Sequence, residues 1–140
     1  MDEILRLLKE QFGVERIDFN LKLMGKNRIY AYRSCFEELE EYHSGVYFGK
    51  LERDGIRLSI EGCYLLKDQI KKNVIEVDYD EMIKWLSGED LKRKAKGYVV
   101  LKWKDYLLGC GKGVGDRIIN YVPKERRLRR LNISGSNSES

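Results

Sequence analysis

The sequence predicts a mixed α+β fold, and two kinds of pattern support this prediction. Apolar residues recur at helical spacing in stretches such as residues 2–12, where they would form one face of a helix. Short runs that alternate apolar and polar residues, such as residues 19–24, are typical of half-buried strands. Because the strands are short and mostly joined by hairpins, we expect a mixed or antiparallel sheet and not a doubly wound parallel one.

The first half of the chain predicts one helix followed by two hairpins. The helix covers residues 2–12, and Gly13 follows it as a helix-ending residue. Glycine-containing turns join four strands in pairs, residues 19–24 with 28–33 and residues 45–51 with 56–60. Within the third of these strands, Tyr47, Phe48 and Gly49 are expected in the core.

One further helix is predicted between the two hairpins, and another after them. A capping box over residues 34–37 indicates a helix at about residues 35–41. The other helix begins at Ser59 or Glu61 and continues to about residue 72. Its buried side chains are predicted to be Cys63, Leu65, Leu66 and Ile70.

The second half predicts a strand, a helix and a third hairpin. The strand covers residues 74–77, and Asp78 or Asp80 caps a helix that ends at Gly88. Two apolar runs, residues 98–103 and 106–110, are separated only by Lys104 and Asp105, which indicates two strands joined by a tight turn.

Charge is distributed unevenly along the chain. Residues 92–130 contain 13 Lys or Arg and three Asp or Glu, a net charge of +10. Residues 1–91 contain 14 Lys or Arg and 19 Asp or Glu, a net charge of −5. An acidic body with a basic C-terminal face is typical of a protein that binds a polyanion.

The basic C-terminal segment supplies the candidate contact residues. Its arginines present a planar guanidinium that suits phosphate better than the point charge of lysine. A charge run is also typical of plain solvated surface, and Trp103 and Tyr121 fit the core as well as they fit base stacking. The candidate nucleic-acid contacts are Lys102, Lys104, Lys112, Gly113, Arg117, Tyr121, Lys124, Arg126, Arg127, Arg129 and Arg130.

Four glycines alternate along residues 109–115. Too few residues follow them for a dinucleotide fold, so we expect no cofactor at this run. Alternate glycines let a strand bend or admit a closely packed neighbour. They also bare backbone N–H groups near Lys112 and Arg117, which suits phosphate. We expect both roles together.

Other residue patterns predict what the chain lacks. Three scattered cysteines indicate reduced thiols in a cytoplasm, and one histidine without a CxxC motif predicts no zinc site. No apolar run approaches the ~20 residues that span a bilayer. No nucleophile stands beside a convincing base, so we expect no catalysis. We expect one domain over residues 1–133 and a disordered polar tail over residues 134–140.

Residues 97–130 resemble the closing segment of a known RNA-binding domain. That family carries a Gly-Trp/Tyr-Val strand, a strand ending in Gly-x-Gly-Lys, a Gly-x-Arg helix and a Tyr-Pro-x-x-x-Arg segment. The matching residues here are Gly97-Tyr98-Val99, Gly109-Cys110-Gly111-Lys112, Gly115-Asp116-Arg117-Ile118-Ile119-Asn120, and Tyr121-Val122-Pro123 with Arg126 and Arg127. The family is the PUA-like C-terminal domain of RsmF-type rRNA cytosine-C5 methyltransferases. The resemblance covers about residues 2–130.

The resemblance implies a PUA-like pseudo-barrel of short strands with peripheral helices. Val122 departs from the family pattern, because it stands between the tyrosine and the proline. The nucleophilic cysteine of those enzymes follows a proline, whereas Lys124 follows Pro123 here. We therefore expect an RNA-binding module that stands alone, without the methyltransferase domain.

The function expected from the resemblance is binding of structured RNA, either rRNA or tRNA. The module would assist a separate RNA methyltransferase or ribosome maturation, without a cofactor. Two alternatives stay open from the sequence. One is an adaptor whose arginines bind an acidic partner protein, and the other is an enzyme whose site assembles from distant residues.

Overall fold

The computed structural model describes residues 2–32 and 45–128 of the chain. Within these residues it contains three α-helices and two four-stranded sheets. The mixed α+β class is therefore confirmed. The helix predicted at about residues 35–41 and the polar tail at residues 134–140 lie outside the described residues.

The helices and strands follow the predicted order. The helices are α1 (Asp2–Phe12), α2 (Ile60–Leu66) and α3 (Tyr79–Leu86). The strands are β1 (Asn20–Met24), β2 (Arg28–Tyr32), β3 (Val46–Glu52), β4 (Gly55–Leu58), β5 (Val74–Glu76), β6 (Ala95–Trp103), β7 (Tyr106–Gly115) and β8 (Ile118–Ile119).

The first sheet has the strand order β1-β2-β3-β4, with all neighbours antiparallel. Both hairpins predicted in the first half are confirmed. The β1–β2 turn takes φ of +59° at Lys26 and +61° at Asn27, which closes the hairpin tightly. Phe48 and Gly49 are buried as expected, whereas Tyr47 is half-buried.

Helix α2 begins where predicted but ends early. The Ser59 hydroxyl accepts a hydrogen bond from the Gly62 amide at 2.9 Å, which caps the helix. The helix stops at Leu66 and not at residue 72, because Lys67 takes a φ of +40° and a 3-10 turn follows over Lys67–Gln69. The Lys71 and Lys72 amides then bond to the Phe12 carbonyl at the end of α1. Leu65 is 39% exposed, so its predicted burial is wrong. It lies on the outer face, while Cys63 and Leu66 face the core at i,i+3 spacing.

The second sheet has the order β5-β6-β7-β8. Strand β5 is parallel to β6, and the other neighbours are antiparallel. Of the two caps predicted for α3, Asp78 is the one observed, and it forms a capping box with Glu81, in which each side chain bonds to the other residue's backbone amide. The segment around Ile118, for which the resemblance implies a helix, forms the short strand β8 instead, because its backbone pairs with β7 and Leu91.

Strand β6 separates two hydrophobic cores. Tyr98 and Val100 pack into the core formed with α1, α2 and the first sheet. Val99 and Leu101 pack into the other core, which contains α3. The second core includes Trp85, whose indole N–H donates to the Leu108 carbonyl at 3.0 Å. With both faces buried, β6 fixes the position of the whole β6–β7 hairpin.

Strand β7 contains a bulge. Val100 pairs with Cys110 while Lys102 pairs with Leu107, so two residues of β7 lie opposite the single residue Leu101. Gly109, one of these two, has φ of +104°, a conformation that glycine adopts without strain. The bend predicted for the glycine run is therefore present, although the strand continues beyond it to Gly115.

Candidate nucleic-acid interface

The three candidate lysines on the β6–β7 hairpin lie in different surroundings. Lys104 is exposed in the two-residue turn, and its amino group lies 5.0 Å from the centre of the Trp103 ring. Lys102 is half-buried beside a cavity that Asp68 and Asp105 also line. Lys112 lies on β7 within an ion pair. The sequence therefore grouped three cations that the structure separates.

Lys112, Asp54 and Tyr98 form a cluster that we call the Asp54 clasp. The Lys112 amino group lies 2.7 Å from Asp54 Oδ2, and the Tyr98 hydroxyl donates to Asp54 Oδ1 at 2.9 Å. Asp54 lies in the β3–β4 turn, while the other two residues lie on β7 and β6. The clasp thus joins the two sheets, and the positive charge of Lys112 is paired within the protein.

The clasp shifts the ionisation of its members in directions that fit this geometry. The hydrogen bond from Lys112, together with that from Tyr98, lowers the pKa of Asp54. The hydrogen bond to Asp54 raises the pKa of Lys112. Burial raises the pKa of Tyr98, and the neighbouring Asp54 carboxylate raises it further. At neutral pH the clasp is therefore a carboxylate held by one ammonium group and one neutral phenol.

The alternate glycines allow close packing more than they expose backbone N–H groups. A Cβ at Gly113 would lie 2.5 Å from the Ala95 carbonyl oxygen, so only glycine admits the neighbouring strand here. A Cβ at Gly111 would likewise lie 2.5 Å from the Trp85 ring. Gly115 differs, because it has φ of +116° and no atom within 4 Å of a built Cβ. Only this last glycine combines the expected bend with open space.

Arg117 follows Gly115 in the turn between β7 and β8. Its guanidinium lies 3.0 Å from Asp90 Oδ2. Asp90 Oδ1 also accepts the Asn120 amide at 2.8 Å, so the carboxylate helps to hold β8. The ion pair is largely exposed, and such pairs are weak enough for a phosphate to compete with them.

The described C-terminal cations differ in what their side chains contact. Arg126 bonds to the Glu61 carboxylate at the start of α2. Arg127 Nε donates to the Val122 carbonyl at 2.9 Å, and its side chain packs over Gly88. Lys124 is exposed and forms no ion pair with another described residue. Arg129 and Arg130 lie outside the described residues.

Tyr121 stacks against an arginine that the sequence analysis did not select. The Arg57 guanidinium carbon lies 4.3 Å from the centre of the Tyr121 ring, and Arg57 Nε lies 3.1 Å from Glu52. Both residues line a small cavity of about 100 Å³ between the sheets. Arg126 lines the same cavity, which we call the Tyr121 cavity.

A larger depression of about 590 Å³ lies beside the Tyr121 cavity, and we call it the aromatic groove. Its aromatic lining comes from Tyr64 on α2 and from Trp103 and Tyr106 at the two ends of the β6–β7 turn. Lys104 and Arg126 supply its positive charge. Arg126 lines both depressions, so it marks the boundary between them.

The structure thus brings together only some of the candidate residues. Lys104, Tyr121 and Arg126 lie around the two adjoining depressions, while Lys112 and Arg127 hold the fold. Sequence reasoning did not select Arg57, Tyr64 or Tyr106 as site residues. The alternation of β4 marks Arg57 as outward-facing, but its contact with Tyr121 spans 64 positions and leaves no local pattern.

The described residues provide no evident metal site. No group of three or more His, Cys, Asp or Glu in residues 2–32 and 45–128 could hold a metal ion. Cys63 and Cys110 are both buried free thiols, and burial raises the pKa of Cys110 to about 12. Across these same ranges, the helices are too short and too polar to cross a membrane.

Comparison with known protein families finds one match inside this part of the chain. The model described as the methyltransferase RsmF PUA domain matches residues 72–128. The match extends from just before β5 to the end of the described residues. It describes the PUA domain and not the catalytic methyltransferase domain.

Curated relatives are similar to this chain over more of its length than the family model is. The ribosomal RNA small subunit methyltransferase F of Vibrio cholerae (strain M66-2) is 22% identical over 130 residues, covering 88% of this chain and 28% of the relative. The protein of the same name from Photobacterium profundum is 29% identical over 96 residues, covering 66% of this chain and 20% of the relative. The protein of this name from Aeromonas salmonicida is 24% identical over 143 residues, covering 96% of this chain and 29% of the relative.

The chain spans less than a third of the length of these relatives. Their shared name describes enzymes that methylate ribosomal RNA. The family match at residues 72–128 includes α3, β5 to β8 and the described candidate cations, and the resemblance of this chain to the PUA domain of RsmF-type ribosomal RNA methyltransferases is confirmed.

Proposed function

We propose that this chain binds structured RNA, either rRNA or tRNA, and has no catalytic activity of its own. The observation that supports the proposal most directly is the position of the family match. Residues 72–128, which match the RsmF PUA domain, include every described candidate contact residue. RNA binding would assist a separate RNA methyltransferase or ribosome maturation in the cytoplasm.

The proposal also concerns the architecture. We assign the two sheets to a PUA-like pseudo-barrel with peripheral helices, on the basis of the family match. Strand β6 of the second sheet supports this assignment, because one of its faces packs into the core formed with the first sheet and the other into the core that contains α3.

Within this frame, the RNA contact is centred on Lys124 and Arg126. Lys124 forms no ion pair with a described residue, and Arg126 is held only by an exposed pair with Glu61. Exposed pairs contribute about 0–1 kcal/mol, so a phosphate can replace Glu61 at modest cost. Lys104, Arg117 and Tyr121 extend the proposed face, together with Lys102, Arg129 and Arg130, whereas Lys112, Gly113 and Arg127 support it by holding the fold.

The test is the salt dependence of RNA binding. Replacing Lys124 and Arg126 together by Ala should weaken binding of a mixed-sequence hairpin RNA. The slope of log affinity against log salt should flatten by about 1.8 if both residues contact duplex phosphates. The matched control replaces Lys22 and Lys26, two exposed lysines of the first hairpin, and should leave affinity and slope unchanged.

Two results would overturn the proposal. One is a reversed pattern, in which the Lys22/Lys26 variant fails while the Lys124/Arg126 variant binds normally. The other is equal affinity of the unmodified chain for the RNA and for polyglutamate, which favours the adaptor alternative.

A further inference from the structure

The aromatic groove has an unusual lining for a protein surface. Tyr106 is 56% exposed and Tyr64 is 40% exposed, and both face solvent at one depression. Ile60, Leu86 and Leu108 supply an apolar floor. Scattered exposed aromatics need no explanation, but several gathered in one groove mark a binding surface.

Rigid elements hold the aromatic rings in place. Trp103 and Tyr106 pair across the two-residue turn, with ring centres 5.8 Å apart and an angle of 18° between the ring planes. Trp103 also packs against the second core, and Tyr64 is held by α2. The Trp103 and Tyr106 rings are therefore positioned before any ligand arrives, which reduces the entropy cost of binding.

The charge of the groove narrows the class of ligand. Lys104 and Arg126 line it, and no carboxylate does. The aromatic and apolar lining favours a planar, largely apolar group, while the two cations favour an anion attached to it. A nucleotide combines both properties, since its base offers a π-face and its phosphate a negative charge.

We propose that the aromatic groove binds one unpaired nucleotide of the RNA, with the base stacked on Tyr106 and Tyr64. Its phosphate would contact Lys104 or Arg126. The inference rests on the proposed function and adds to it the class of RNA that is preferred. A base paired inside a helix keeps its faces stacked on its neighbours, so only a bulged, looped or terminal nucleotide can enter.

The experiment compares two RNA duplexes of 20 base pairs that differ in one feature. One carries a single bulged 2-aminopurine nucleotide, and the other lacks the bulge. The full chain should bind the bulged duplex more tightly and quench the 2-aminopurine fluorescence on stacking. Tyr106→Ala should weaken binding of the bulged duplex by roughly 5- to 150-fold, the range found for loss of one base–aromatic stack. It should leave the affinity for the paired duplex unchanged.

Two variants make the result specific. Tyr106→Phe keeps the ring and should retain the preference and the quenching. Tyr79→Ala removes another exposed tyrosine, which contacts the edge of Trp103 but does not line the groove, and should also retain both. Circular dichroism melting of each variant checks that the fold is intact.

The outcomes separate this inference from the proposed function. If Tyr106→Ala leaves both affinities unchanged, or the unmodified chain shows no preference for the bulge, the nucleotide site is overturned while RNA binding stands. An apolar protein segment would then be the better occupant of the groove. If the unmodified chain binds neither duplex nor the hairpin RNA, the inference and the proposed function both fail.

Discussion

The Asp54 clasp and the aromatic groove use cations of the same hairpin in opposite ways. In the clasp, Lys112 is 2.7 Å from a carboxylate and joins the two sheets. In the groove, Lys104 lies over an aromatic ring with no carboxylate in the lining. Both lysines contribute equally to the net charge of +10 over residues 92–130, yet only Lys104 remains available to a polyanion.

The net charge of a segment therefore does not identify its contact residues. Each cation must be assessed by what already neutralises it. Substitutions near the clasp should change stability and leave RNA contacts intact, whereas substitutions around the groove should do the reverse. Three further substitutions test this division, in order of decreasing effect.

Gly113→Val should have the largest effect, because the residue lies beside Lys112 on β7 and packs tightly against Ala95 of β6. A Cβ would meet the Ala95 backbone, which cannot move without displacing β6. We expect the free energy of unfolding to fall by about 3 kcal/mol, or Tm by roughly 10 °C. Thermal melting followed by circular dichroism measures the loss.

The control for this substitution is Gly25→Val. Gly25 has no atom within 4 Å of a built Cβ and no positive φ, so Tm should change little. A Gly113→Val protein that melts normally but loses RNA binding would contradict the packing role and favour backbone contact with phosphate.

Asp54→Asn should have an intermediate effect that depends on pH. The pKa of Asp54 is lowered in the folded protein, so its ion pair stabilises the fold above the unfolded pKa of about 3.9. That stabilisation is lost as the pH falls through the lower, folded pKa. At pH 7 the substitution should cost about 1 kcal/mol, a few degrees in Tm, and the difference from the unmodified chain should vanish in acid.

Asp116→Asn makes the same charge change at an exposed carboxylate that forms no ion pair with a described residue. Its Tm should follow that of the unmodified chain at every pH. A Tm deficit of Asp54→Asn that persists undiminished at pH 2 would show that the carboxylate charge is not what stabilises the clasp.

Arg117→Ala should have the smallest effect. It tests whether Arg117 stabilises the fold, as the Asp54 clasp does, or contacts RNA, as proposed for the aromatic groove. Its ion pair with Asp90 is exposed, so we expect a loss below about 1 kcal/mol. If the guanidinium contacts one phosphate, the salt slope of duplex binding should flatten by about 0.9. A large drop in Tm with an unchanged slope would instead place Arg117 with the clasp.

Local sequence patterns predicted much of the fold. The helix at residues 2–12, both hairpins of the first half, the helix cap at Asp78 and the turn at Lys104 are all confirmed. These features depend on residues within a few positions of one another. Predictions that depended on distant contacts were less accurate, as shown by the early end of α2 and the exposure of Leu65.

The candidate site shows the same limit. The basic segment and its glycines are visible in sequence, and so is the resemblance to the PUA-like domain. The pairing of Lys112 with Asp54 and the stacking of Arg57 on Tyr121 are not visible, because each contact joins residues more than 50 positions apart. The contact roles of the individual cations stay predictions until the substitutions are measured.

The α+β class, the order of the elements and the concentration of positive charge toward the C-terminus were predictable from the amino-acid sequence alone. These properties follow from spacing and composition, which act over short distances along the chain. Which cations are neutralised and which aromatic rings gather beside Arg126 became visible only in the folded chain. Ion pairing and cavity shape depend on separations of a few ångströms between elements, and β6, packed on both faces, sets those separations.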